Sequence, residues 1–365
     1  MMSDPQLGRR DFLRASALVV GSVGLFQAQD SGAAEKKDAD AKGATSKLDS
    51  DQWKKKLAAM DIRPSRTILT PRMPKDNAEL RFWLQNMVID HRYSLNEVSL
   101  ATGMKPAQIE EALAQMGIDP DQRPKNKNTN LRMCPYPGGR HPRSGYIEAA
   151  INPQRETKIS IFTPWDPESY VVVDVPEAIW SNLGLIYLAH TDIQTFWEQR
   201  NIALHPMEWT RSVKDTLSCE RKLPNGIRFG TKAVASPKAV RFAMWLYNGT
   251  NQVLTDLHVQ NCLMLKGASG FQRGRTLQEN KFFFPPYVAA RSEPTLDRWV
   301  ITAWEPSDHL WANPLCPCIH SDPKFPDCLP GQTQRLHGWL SFYEGRDIQG
   351  EIGRIDNLNW NVELG

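Results

Sequence analysis

Followed for its apolar and polar positions, the chain changes period once. Between residues 76 and 118 the apolar positions recur at helical spacing. Leu80, Trp83, Leu84, Met87, Val88 and His91 share one face, with Asp76 or Asn77 as the cap. Ser94-Leu-Asn-Glu97 is a capping box, opening a helix that turns Leu95, Val98 and Ala101 inward and ends at Gly103. Pro106 then starts a third helix, striped by Ile109, Ala112, Leu113 and Met116 before Gly117. Past a lysine-rich polar stretch, 119–130, the period drops to two.

The period-two region predicts strands at 158–162, 170–175, 184–189, 217–223, 227–233, 239–247, 254–265, 287–290, 298–304 and 334–342. Turn signals such as Pro224-Asn-Gly226 and Asn248-Gly-Thr-Asn251 separate them. Strands in succession, without alternating helices, predict a mainly β protein: a large antiparallel β-sandwich preceded by a small helical module. The expected boundaries are 76–118 for the helical module, 128–345 for the sandwich and 346–365 for a C-terminal helix and tail. A short helix at 53–60 is also expected.

The N-terminus adds a location. Gly8-Arg9-Arg10-Asp11-Phe12-Leu13 precedes an apolar run, 15–26, and then small residues. This is the layout of a secretory signal, and the paired arginines resemble the twin-arginine export signal of bacterial proteins. Residues 1–34 are therefore expected to be a signal peptide, and 35–75 a disordered or extended linker. The expected location is periplasmic or otherwise exported. A net charge of +3 on 365 residues is too small to argue for nucleic acid. The helix starting at Pro106 offers Gln108, Glu110, Glu111 and Gln115 where a DNA-reading helix would carry basic groups. No apolar run reaches the roughly 18 residues of a membrane span.

Candidate chemistry concentrates between two strong strand patterns, in Cys316-Pro-Cys318-Ile-His320 through Cys328. Cys316, Cys318, His320 and Cys328 are donors suited to zinc or copper, and alternate positions on an extended loop can converge on one ion. The same cysteines in an exported protein can instead form disulfides, which is the preferred expectation, or remain thiols. Cys219 and Cys262, inside predicted strands, are most simply small buried hydrophobes. A second cluster enters the β-region on a loop: Arg140 and His141, with Arg155 and Trp165 following, would hold an anionic or polyhydroxylated ligand. A third, His190 with Asp192 ahead of Phe196, Trp197 and Trp209, could line a sugar site if the tryptophans are exposed. Glu305, His190 and His320 are the candidate catalytic groups, since glycoside chemistry needs carboxylates and proton carriers.

Two stretches carry a resemblance. Phe242-Ala-Met-Trp-Leu-Tyr-Asn248 through Leu265-Lys-Gly267 is similar to the strand, Asn/Thr turn, strand, Leu-x-Gly unit of the galactose-mutarotase-like supersandwich group. Pro330-Gly-Gln-Thr and the strand after it resemble that group's closing turn and last strand. The family's catalytic histidine would fall near Gln260 and Asn261, so the resemblance implies the sheet architecture and a sugar-facing surface, not mutarotase activity. The expected function is an exported carbohydrate-binding or carbohydrate-active β-sandwich with a sugar or uronate ligand. The alternatives are a zinc or copper protein using the 316–328 loop and a non-catalytic envelope scaffold.

Overall fold

A computed structural model describes residues 71–124, 129–137, 156–189, 194–271, 280–313 and 316–364. All of them belong to one compact unit, Ser65–Gly365. The expected signal peptide, the 53–60 helix, and Arg140, His141, Arg155 and His190 lie outside the described residues.

The helical start forms as its caps predict. Helices α1 (Asn77–Leu84), α2 (Leu95–Thr102) and α3 (Pro106–Met116) follow one another, with a π-helical turn, Gln85–Asp90, after the first. The Asp76 side chain accepts from the Glu79 N–H, and Ser94 and Glu97 form the reciprocal capping box. Gly103 and Gly117 end α2 and α3 at φ of 75° and 62°, a left-handed conformation that glycine adopts without Cβ strain. Trp83, Leu84, Met87, Val98, Ile109 and Leu113 bury the shared stripe as a core of their own.

Among the described residues fourteen strands make two seven-stranded antiparallel sheets. The first runs β1 (Met133–Pro135), β2 (Lys158–Phe162), β3 (Tyr170–Ser181), β8 (Val259–Met264), β13 (Cys318–Pro323), β12 (Ser307–Ala312), with β4 (Gly184–Leu188) on β3. The second runs β5 (Thr216–Lys222), β6 (Arg228–Ala235), β7 (Ala239–Tyr247), β14 (Thr333–Glu344), β11 (Arg298–Glu305), β10 (Tyr287–Arg291), β9 (Lys281–Phe284). The main core joins Ile159, Val173 and Leu263 of the first sheet to Phe229, Phe242, Trp304 and Leu340 of the second. Trp304 stacks on Phe242 at 5.5 Å, above Gly338, where a Cβ would lie 2.6 Å from the indole.

Both sheets are covered on their outer faces too. Helix α4 (Ile348–Asp356), capped by Asp347, puts Ile352 and Ile355 with Trp360 against Trp299 and Trp339 of the second sheet. The helical start covers part of the first sheet. His91 packs edge-on to Tyr136, Phe162 and Tyr170, and its Nε2 lies 2.7 Å from the Ser160 hydroxyl on β2. Its Nδ1 lies 2.8 Å from the Asn86 carbonyl. Strands β2, β8 and β13 are consequently buried at every position, a pattern more usual in parallel sheets covered by helices on both faces.

Two expectations are corrected here. The segment after Pro317 is a strand, β13, and not part of an extended loop. The preferred disulfides do not form: all six cysteines are free thiols, and all six are buried.

Candidate metal centre

The outer face of the first sheet carries a row of chemistry set by strand register. Lys158 pairs with Asp174 and Asp174 with Cys262. Cys318 pairs with Met264 and Ile319 with Leu263, and this register brings Cys318 and His320 beside Cys262. His320 in turn pairs with Trp311. Side chains alternate along a strand, so Cys318, His320 and Asp322 leave β13 on one face.

The result is a compact donor set. The sulfurs of Cys262 and Cys318 and a ring nitrogen of His320 all lie within 4.8 Å of one another, and all three residues are buried. Cys318 Sγ is 3.2 Å from His320 Nε2. The register also explains why a disulfide is disfavoured. Cys318 is the diagonal neighbour of Cys262, and diagonal Cα atoms stand about 7–8 Å apart, beyond ordinary disulfide reach. Sulfurs a few ångströms apart but unbonded are what a shared ion needs.

His320 is held from behind. Trp311 stacks on the imidazole at 3.8 Å with the planes 11° apart. The Trp311 Nε1–H donates to Asp322 Oδ2 at 2.7 Å, while Asp322 Oδ1 accepts from the Asn261 backbone N–H at 3.0 Å. The same carboxylate oxygen lies 3.9 Å from His320 Nδ1. Nε2 is the ring nitrogen that faces the Cys318 sulfur.

Acidic groups stand on the other side of Cys262. Asp174 and Glu177 place carboxylate oxygens within 4.8 Å of one another and of its sulfur. A bulge between Asp174 and Ala178 turns both carboxylates to one face, where simple alternation would separate them. Asp174 is paired with the buried Lys158 Nζ at 2.8 Å, and Gln260 donates to Glu177.

The remaining sequence candidates are dispersed. Cys316 is outside the donor trio, its thiol directed at Met264 Sδ 3.9 Å away. Cys328 belongs to the main core, next to the Gln332 carbonyl at 3.3 Å, and burial raises its thiol pKa. Glu305 ends β11 on the other sheet and accepts from Asn361 Nδ2 at 2.5 Å. Trp165 packs against the core, stacked on Phe271 and edge-on to Phe342, and Trp197 and Trp209 are core residues rather than an open sugar platform. The residue that sequence reasoning missed is Cys262. Its only local signal was a cysteine inside a predicted strand; the partner strand begins 56 positions away and its register is not written locally.

No protein-family model matches the chain, and no curated protein matches it. Among solved structures it is similar to a putative kojibiose phosphorylase from human microbiome, at 4% identity and a TM-score of 0.27, over 39% of this chain and 20% of that one. The Slr1438 protein from Synechocystis overlaps 52% of this chain and 88% of its own at 10% identity and a TM-score of 0.29. A heparan sulfate lyase HepC mutant from Pedobacter heparinus overlaps 79% of this chain and 46% of its own at 9% identity and a TM-score of 0.31. The chain thus spans about a fifth of the phosphorylase and under half of the lyase. The site is therefore read from its own residues.

Proposed function

We propose that this protein is a metalloprotein whose sandwich holds one zinc or copper ion between Cys262, Cys318 and His320. The observation that carries the reading is the convergence of two sulfurs and an imidazole nitrogen within 4.8 Å on a buried sheet face. Thiolate and imidazole together suit zinc and copper and not magnesium or calcium. Binding would release the thiol protons and would draw on strands already paired in the fold. Metal analysis of protein purified without chelator, or reloaded after chelation, should give close to one equivalent. Cys262→Ser should lose it as fully as Cys318→Ser, whereas Cys328→Ser should keep it. Stoichiometric metal that survives Cys262→Ser but disappears with Cys328→Ser would overturn this ligand set, and absence of metal after reloading would sink the reading itself.

A sugar or uronate ligand is the second reading. It is supported by a cleft of about 380 Å³ whose lining includes His205, Met207, Glu220, Arg221 and Lys222, an apolar wall beside charged groups. Arg221 ties the two walls together, donating to the His205 carbonyl at 2.8 Å and pairing with Glu156 at 2.8 Å. Titration with neutral and acidic oligosaccharides should show binding that weakens in Lys222→Ala; no binding in either class removes this reading.

We also propose export by the twin-arginine route, on the strength of Arg9-Arg10 ahead of the apolar run. Replacing both arginines by lysine should leave the protein unprocessed in the cytoplasm. Normal fractionation of that double variant would rule the route out.

A further inference from the structure

Sulfur is unusually concentrated around the donor trio. Among the described residues Cys134, Cys262, Met264, Cys316 and Cys318 form one buried cluster with Tyr136, Phe162, Tyr170 and Val172. Only part of that sulfur belongs to the trio. Met264 stands directly across the ladder from Cys318, and directly opposed side chains have Cβ atoms about 4.5–5.5 Å apart. The Cys316 thiol donates to Met264 Sδ at 3.9 Å, which fixes the thioether within the cluster. A thioether adds nothing that zinc selects for, but thiolate with thioether is the donor combination of monovalent copper. On the Met264 side the wall is aromatic and aliphatic, while the Asp174 and Glu177 carboxylates flank Cys262 on the other.

We infer, resting on the metal reading above, that the ion is Cu(I) and that Met264, braced by Cys316, is the residue that makes the centre prefer it to zinc. Cu(I) is content with few, soft ligands, so Cys262, Cys318 and His320 suffice to hold it and the flanking thioether tunes the choice. Divalent zinc would use the same trio and be indifferent to Met264. No electron is transferred in this step: the ion enters as Cu(I), the two thiols lose their protons to solvent, and the sulfurs stay reduced.

The test uses the full chain, freed of metal, kept reduced and anaerobic, and titrated separately with Cu(I) against a cuprous chelator and with Zn(II). The wild type should bind one Cu(I) and retain it against excess zinc. Met264→Leu, which conserves volume, should weaken Cu(I) by about tenfold or more while Zn(II) affinity stays within about twofold. X-ray absorption of the Cu(I)-loaded wild type, which needs no variant, should show a shell dominated by sulfur. Preference for zinc, or Cu(I) affinity indifferent to Met264→Leu, overturns the inference and leaves the metal reading standing; a nitrogen- and oxygen-dominated shell overturns both the inference and the ligand set on which it rests. Failure to bind either ion removes both.

Discussion

At the scale of the residue, six cysteines have taken different chemical roles from one common condition, burial. The Cys219 thiol, facing the core between the sheets, is pushed up to about 12 by desolvation. Burial raises Cys134 in the same direction. These side chains act as small hydrophobes that keep their proton. The sign of the consequence is fixed. The folded chain retains the Cys219 proton that the unfolded chain gives up near its ordinary value of 9.0. The contribution is therefore fully present below pH 9 and is lost as pH rises towards 12. At one pKa unit per 1.36 kcal/mol, about 2 kcal/mol should be lost between pH 9 and 10.5 from this group alone. Urea unfolding at those two pH values should show a decline, and Cys219→Ala should lessen it by about that amount. An equal decline in the variant would show that the thiol does not carry the effect.

At the scale of the element, legibility tracked how each strand is buried. Strands β11 and β14 are legible nearly to their ends, β11 because branched and aromatic residues almost fill Trp299 to Trp304, and β14 because apolar and polar residues alternate along it. Helices α1 and α2 are legible from their caps, since capping is a local hydrogen bond encoded within four residues, and α3 from Pro106 in its first turn and Gly117 after its end. The predicted strand over 254–265 shortened to β8, because its first half is tied down by isolated bridges, Leu254 to Cys328 and His258 to Lys324, rather than by a continuous ladder. Strand β13 was hidden for a different reason. Pro317 and Pro323 bracket it, and both of its faces are covered, so Cys318-Ile-His-Ser-Asp322 shows neither alternation nor an apolar run. Two of the three donors are therefore legible, at alternate positions of one segment. The third, Cys262, depends on the register between β8 and β13, which is a property of two distant segments together. Cys316 and Cys328 illustrate the converse: nearness in sequence placed them with His320, while the ladder gave one to the sulfur cluster and the other to the core.

At the scale of the whole molecule, the centre sits where three layers are fastened. Its candidate ligands come from adjacent strands of the first sheet, whose inner face packs into the main core and whose outer face is engaged by the helical start through His91 and Ser160. A further tie crosses from the helical start to the sheet, Asn86 Nδ2 donating to the Pro135 carbonyl at 3.0 Å, and ahead of the helices Arg72 pairs with Glu208 at 2.7 Å. An ion held only by the folded arrangement of β8 and β13 should therefore stabilise the described unit as a whole, not one hairpin. At a free ion concentration a thousand times its dissociation constant the gain is about 4 kcal/mol. For a domain of this order of size each kcal/mol moves the midpoint by about 2–4 °C, so chelation should lower Tm by roughly 10 °C. Cys318→Ser should melt at the same lowered temperature with or without ion, because the ladder and the core do not need the metal to pair. Calorimetry should show one transition shifting intact, with the helical signal and the near-ultraviolet tryptophan signal moving together. A split melt, in which ion shifts the sheet and leaves the helices behind, would show that the His91 contact does not couple the layers.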